Sequence, residues 1–245
     1  MNKILEICCY SLESVKIAAE SGAHRVELCS GRKEGGTTPS LGLLRSALHE
    51  KIEVYPIIRP RGGDFLYSES EFQVMKNDIE ICREEGVKGV VFGILNEQGH
   101  FDLDRMRELI HVAGTMDVTV HRAFDMSSDL FVALEELISI GIKRVLSSGG
   151  KNTAFEGREI IKKLHQQSDG RISIMAGSGV HSENIQWLMQ TGIHEFHSSA
   201  SSSSYSKMKY KNPDISMGKT QEQDEFVLVE SSPSEIRKMI HLLQA

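Results

Sequence analysis

The chain alternates between two hydrophobic periods. Compact apolar runs at 3–9, 53–59, 117–122 and 171–176 read as strands. Four more strands begin about three residues after a glycine, in Gly22-Ala-His-Arg-Val, Gly86-Val-Lys-Gly-Val, Gly141-Ile-Lys-Arg-Val and Gly192-Ile-His-Glu-Phe. Each of these glycines follows an amphipathic run at helical spacing (12–20, 69–85, 130–140 and 183–191), so it reads as the left-handed cap that ends a helix. Helical patterns at 41–50, 103–113 and 154–167 fill the remaining gaps. The stretch 233–243 supplies an eighth helix, with Ser231 or Ser232 as its cap and Pro233 in its first turn.

Strand followed by helix, eight times with no spare strand, predicts a (β/α)₈ TIM barrel forming a single domain over residues 1–245. An open, doubly wound sheet is the rival. It would carry a glycine-rich turn after the first strand, and Cys8-Cys9-Tyr10-Ser11 is not one, so no nucleotide cofactor is expected. The segment 199–224 breaks the plan, with Ser201 to Ser204 in a row followed by Lys207, Lys209 and Lys211. A β8–α8 loop of that length is expected to be a lid, an interface element or disordered, and its serine run suggests no chemistry.

Composition narrows the function. A net charge of -6 argues against nucleic acid, whose phosphates call for a basic surface. No apolar run approaches the roughly 18 residues that a membrane span requires. The N-terminal apolar stretch is broken at Glu6, unlike a signal peptide. Four cysteines, Cys8, Cys9, Cys29 and Cys82, make no disulfide framework in a chain of 245 residues, which points to reduced thiols in the cytoplasm.

In a TIM barrel the chemistry gathers at the C-terminal ends of the strands. Two of those ends share a pattern, Glu6-Ile7-Cys8 and Glu27-Leu28-Cys29. Side chains two apart on a strand share a face, so Glu6 goes with Cys8 and Glu27 with Cys29, on neighbouring parallel strands. Cys9 should then face the helices, and Cys82 should be a buried helix residue. Two adjacent thiols suit a soft ion such as Cu(I), although free cysteines are also common as plain core residues. Neighbouring carboxylates would raise the thiol pKa, while Arg59 and Arg61 would lower it.

The other strand ends are charged. Glu6, Glu27 and Asp125 are candidates for general acid or base, and His121 with Asp125 beyond it for a proton-moving pair. Arg59-Pro60-Arg61-Gly62-Gly63-Asp64 reads as a shaped cationic turn holding a small anion. Gly177-Ser178-Gly179 after the seventh strand, with His197-Ser198 at the end of the eighth, marks where barrels bind phosphate. The plain alternatives are an ion-pair network plugging the barrel top and a tight glycine turn. His24, His49, His111, His165 and His241 fall at strand starts or on helices and read as surface residues.

These stretches resemble the copper homeostasis protein CutC family. The resemblance rests on Glu6-Ile7-Cys8, Arg25-Val26-Glu27-Leu28-Cys29, Glu34-Gly35-Gly36-Thr37-Thr38-Pro39-Ser40, Ile58-Arg59-Pro60-Arg61-Gly62-Gly63-Asp64-Phe65, His121-Arg122-Ala123-Phe124-Asp125, Arg144-Val145-Leu146-Ser147-Ser148-Gly149, His197-Ser198-Ser199-Ala200 and Met208-Lys209-Tyr210-Lys211-Asn212. Ser147 stands where a Thr is common, and the tail after Tyr210 diverges. The resemblance implies a cytosolic TIM barrel that takes Cu(I) on cysteines matching Cys8 and Cys29. It implies no catalysed reaction. A soft ion has no need of the hard, charged groups at the rim, so an enzyme acting on a small anionic or phosphorylated substrate is the second expectation. Self-association as a dimer or tetramer is also expected, with neither nucleic acid nor membrane as a partner.

Overall fold

The computed structural model describes residues 2–212, 214–215 and 224–244. Eight parallel strands run in the order β3-β2-β1-β8-β7-β6-β5-β4. They are β1 (Ile4–Cys9), β2 (Arg25–Leu28), β3 (Glu53–Pro56), β4 (Gly89–Phe92), β5 (Asp117–Val120), β6 (Arg144–Ser147), β7 (Ser173–Ala176) and β8 (Glu195–Ser198). A parallel bridge from Ile57 to Val91, with Ile58 N–H donating to Val91 O at 2.7 Å, joins β3 to β4 and closes the ring. Helices α1 (Leu12–Glu20), α2 (Leu41–Ala47), α3 (Glu69–Glu84), α4 (Leu103–Ala113), α5 (Leu130–Ser139), α6 (Arg158–Ser168), α7 (Ile185–Met189) and α8 (Pro233–Gln244) follow the strands in turn. This is the expected TIM barrel.

Local chemistry explains the element ends. Ser11, Ser40, Ser68, Asp102 and Asp129 cap their helices through side-chain oxygens, and Ser68 with Glu71 forms a reciprocal capping box. Ser232, rather than Ser231, accepts from Glu235 N–H at the start of α8. The four repeated glycines, Gly22, Gly86, Gly141 and Gly192, all have φ between +75° and +91°, the left-handed turn expected of them.

Outward strand residues such as Leu5, Ile7, Cys9, Val26 and Leu28 pack against the helices in the main core, which also takes Cys82. Inside the barrel lies a smaller cluster of Cys8, Cys29, Tyr55, Ile57 and Val91.

The loop after β8 differs from expectation. Ser201–Tyr205 forms strand β9, paired antiparallel with β10 (Val227–Ser231). Two spare strands therefore exist, and the serine run is one of them. Glu230 ties this hairpin to α1 by accepting from Ser11 Oγ and Ser14 Oγ, both at 2.5 Å. A row of serines has no hydrophobic alternation to mark it as a strand, and its exposure on both faces shows why none is needed. The rest of the expected loop lies partly outside the described residues.

Candidate functional site

The register of β1 against β2 sets the site. Cys8 pairs with Glu27 and Glu6 with Arg25, so the two Glu-x-Cys motifs are offset along the barrel rather than level. Glu6 therefore sits deeper than expected, in a polar layer across the interior. Its carboxylate takes a short hydrogen bond from Arg25 Nε. Arg25 Nη2 also reaches Glu195 Oε2 at 2.8 Å, and Glu195 accepts from Arg144 Nε at 2.5 Å and Ser173 Oγ at 2.6 Å. The guanidinium of Arg25 lies 5.0 Å from the Tyr55 ring centre. Burial alone would push Glu6 up, but Arg25 and His197 outweigh it and hold its carboxyl at about 2. With both oxygens engaged and ionised, Glu6 is a fixed anion, which does not suit the acid or base role expected of it.

Above this layer is the thiol cluster. Cys8 Sγ lies 3.8 Å from Cys29 Sγ, and both cysteines are buried and reduced. His197 Nδ1 contacts Glu6 Oε1 at 2.7 Å. An ionised Glu6 requires the proton on Nδ1, which turns Nε2 toward Cys8 and Glu27, the latter 3.7 Å away. Ligand atoms of Cys8, Glu27 and His197 all lie within 4.8 Å of one another, a spacing that could hold a metal ion.

Proton placement here is divided sharply. The hydrogen bond from Cys29 lowers the Cys8 thiol, against burial, and His197 lowers it further. Burial and the negative Cys8 together push Cys29 up. Burial and Cys8 likewise raise Glu27. Burial opposes a charge on His197, but Cys8, Glu6 and Glu27 overcome it and raise its pKa. The shifts favour the charged forms of Cys8 and His197 and the neutral forms of Cys29 and Glu27.

The cluster floors a cavity of about 420 Å³ at the mouth of the barrel. Its lining includes Tyr10, Arg59, Phe65, His121, Asp125, Ser178, Gly179, His197, Ser198 and Ser199. His121 and Asp125 do not form the expected pair. Asp125 accepts from Arg122 Nε, Ser147 Oγ, Ser148 N–H and Oγ, and Gly150 N–H, so its carboxylate is spent on shaping the loop after β6. His121 Nδ1 accepts from Ala123 N–H at 3.2 Å, which leaves the proton on Nε2. Burial and the nearby Arg59 lower its pKa to about 3, so the ring is a neutral donor rather than a proton carrier. At Gly93 a Cβ would crowd the His121 ring and the Ala123 Cβ, both at 3.1 Å.

The two arginines differ as well. Arg59 donates to the carbonyls of Glu34, Gly36 and Gly63, and no carboxylate among the described residues lies within ion-pair distance. Its charge faces the cavity, although its hydrogen bonds are used on backbone. Arg61 is paired with Asp64 and Glu71 outside the cavity lining, so it staples a loop and does not hold an anion there. Gly177 is also absent from the lining, and its N–H donates to Ser147 O. Ser198 Oγ donates to Val180 O at 2.6 Å.

The chain contains residues that the strand-end reading passes over. Arg25, Arg144 and Glu195 lie at strand starts, and only the two-residue period linking Arg25, Glu27 and Cys29 marks Arg25 as inward-facing.

The CutC family model matches residues 3–202. A CutC family protein from Photorhabdus laumondii is 50% identical over 223 residues, 91% of this chain and 90% of its own. Another from Parabacteroides distasonis is 48% identical over 243 residues, 98% of this chain and 100% of its own. The crystal structure of CutC from Streptococcus agalactiae, named for copper homeostasis, aligns with a TM-score of 0.77 at 33% identity, covering 80% of this chain and 98% of that one. Likeness of that extent over both partners leaves one conclusion, that the chain belongs to the CutC family.

Proposed function

We propose that this protein binds Cu(I) at the floor of the barrel cavity and serves copper homeostasis in the cytoplasm, as a self-associating barrel. Cys8 and Cys29 are the thiolate ligands, and His197 supplies a third, imidazole donor. The observation that carries this reading is the 3.8 Å approach of two reduced thiols beside His197. Soft sulfur with imidazole is a donor set matched to Cu(I), and burial together with Cys8 disfavours the charged form of Glu27, the hard oxygen beside them. Binding requires the proton to leave Cys29, whose thiol is pushed up, and His197 Nε2, which must be free to ligate, so affinity should rise with pH.

The test is an anaerobic Cu(I) titration of the reduced protein against a competing chelator. Cys8→Ser/Cys29→Ser should lose affinity by about a hundredfold or more, as loss of ligands outweighs loss of their supporting partners. Affinity unchanged in that variant would refute the reading.

A barrel enzyme acting on a small anionic substrate is the second reading. Its support is a cavity of about 420 Å³, far more than an ion fills. Acid–base catalysis through His121 and Asp125 is not part of it, because one is neutral and the other is saturated.

A further inference from the structure

The upper wall of the cavity is rich in donors and poor in free acceptors. His121 is 4% exposed, and its Nε2 is buried without any protein partner. Its Nδ1 is committed to Ala123 N–H, so Nε2 keeps its proton as a buried donor without a partner, on a residue that lines the cavity. Ser178, Gly179 and Ser199, in the loops after β7 and β8, line the same cavity, and their backbone N–H groups donate to nothing among the described residues. Ser178 and Gly179 have φ of +78° and +67°, left-handed backbone in the loop that lines the cavity. Arg59 adds a cation without a carboxylate partner. On the acceptor side, Asp125 is filled by its loop, and Glu34 is exposed at the rim.

We infer that this cavity is a binding site for a small phosphate monoester. Its phosphate oxygens rest on the N–H groups of Ser178, Gly179 and Ser199, and an oxygen of its carbon skeleton accepts from His121 Nε2. Three backbone donors near the last two strands suit a tetrahedral oxyanion better than a planar carboxylate. The neutral imidazole gives direction without charge, which suits a hydroxyl or carbonyl oxygen. The volume of about 420 Å³ takes a phosphate with a short carbon chain and exceeds what inorganic phosphate fills. This site lies above the thiol cluster and does not depend on copper binding there.

Isothermal titration of the reduced, metal-free protein with glycerol 3-phosphate, inorganic phosphate and glycerol tests it. Glycerol 3-phosphate should bind saturably at one per chain, inorganic phosphate about tenfold more weakly, and glycerol not at all. Ser199→Asp places a negative charge among the phosphate donors and should abolish binding of both phosphates. His121→Phe should weaken glycerol 3-phosphate about tenfold while leaving inorganic phosphate unchanged. Cys8→Ser/Cys29→Ser should bind both as before. The inference falls if neither phosphate saturates below about 10 mM, if binding survives Ser199→Asp, or if binding is lost with the two cysteines. Should His121→Phe not fold, Ser199→Asp on the loop decides the question by itself.

Discussion

Two polar clusters lie one above the other inside the barrel, and they differ in how fully their charges are matched. In the lower one, Glu6, Arg25, Glu195 and Arg144 use nearly every donor and acceptor on each other, with Ser173 and Thr119 closing the gaps. In the upper one, Cys29 and Glu27 are pushed toward their neutral forms, Cys8 and His197 toward their charged ones, and His121 Nε2 has no hydrogen-bond partner. Matched buried charges hold a structure in one arrangement. Unmatched ones keep a capacity for something else to bind. The lesson is that a buried carboxylate in a barrel does not of itself mark a reactive site. Glu6 and Glu27 come from the same motif, yet one is structural and the other sits at the cavity.

The largest expected effect breaks the matched layer. Arg25→Met leaves Glu6 with His197 alone and Glu195 with Arg144 alone, which should cost about 3–5 kcal/mol of unfolding free energy. Urea unfolding followed by circular dichroism would show it. A midpoint unchanged from wild type would mean that the lower layer is hydrated, and the contrast between the two clusters would collapse.

A second experiment sharpens the contrast through pH. His121 is held at about 3 in the fold against an ordinary value of 6.5. A base with a depressed folded pKa contributes stability that is present above 6.5 and is lost as pH falls toward about 3, because only the unfolded chain takes up the proton. The stability difference between wild type and His121→Phe should therefore shrink by about 1.4 kcal/mol per pH unit through that window. Glu6 acts in the same direction only below 4.5, so the interval from 6.5 to 4.5 isolates His121 from it. A difference that stays flat with pH would show that His121 is protonated in the fold and is not a neutral donor.

How much of this was legible in the chain follows from the range of each signal. The eight-fold alternation was legible because four helices end on the repeated glycine and six begin on a side-chain cap, both local choices. The thiol pair was legible because period-two geometry puts Cys8 and Cys29 inward on adjacent strands. The offset between those strands was not, since the stagger belongs to barrel closure and leaves no mark on either strand alone. That offset carries Glu6 down to Arg25, and the register of β1 against β8 sets His197, 189 residues away from Cys8 in sequence, beside Glu6. The β9–β10 hairpin escaped notice for a different reason, because exposed serine strands carry no apolar pattern.

The smallest expected effect concerns the pair that the sequence makes look equivalent, Arg59 and Arg61. They flank one proline, and both read as anion holders. The fold turns Arg59 into the barrel mouth and Arg61 out to Asp64, Glu71 and the Leu66 carbonyl, where its side chain is 37% exposed. Partly exposed ion pairs contribute little, since solvent screens them and ordering the side chain offsets the gain. Arg61→Ala should therefore lower stability by no more than about 1 kcal/mol. It should leave both the Cu(I) titration and the glycerol 3-phosphate titration at wild-type values. A drop in either affinity without a matching drop in stability would place Arg61 at the site after all. The cationic character of the mouth would then come from both arginines, and not from Arg59 with the backbone of the last two loops.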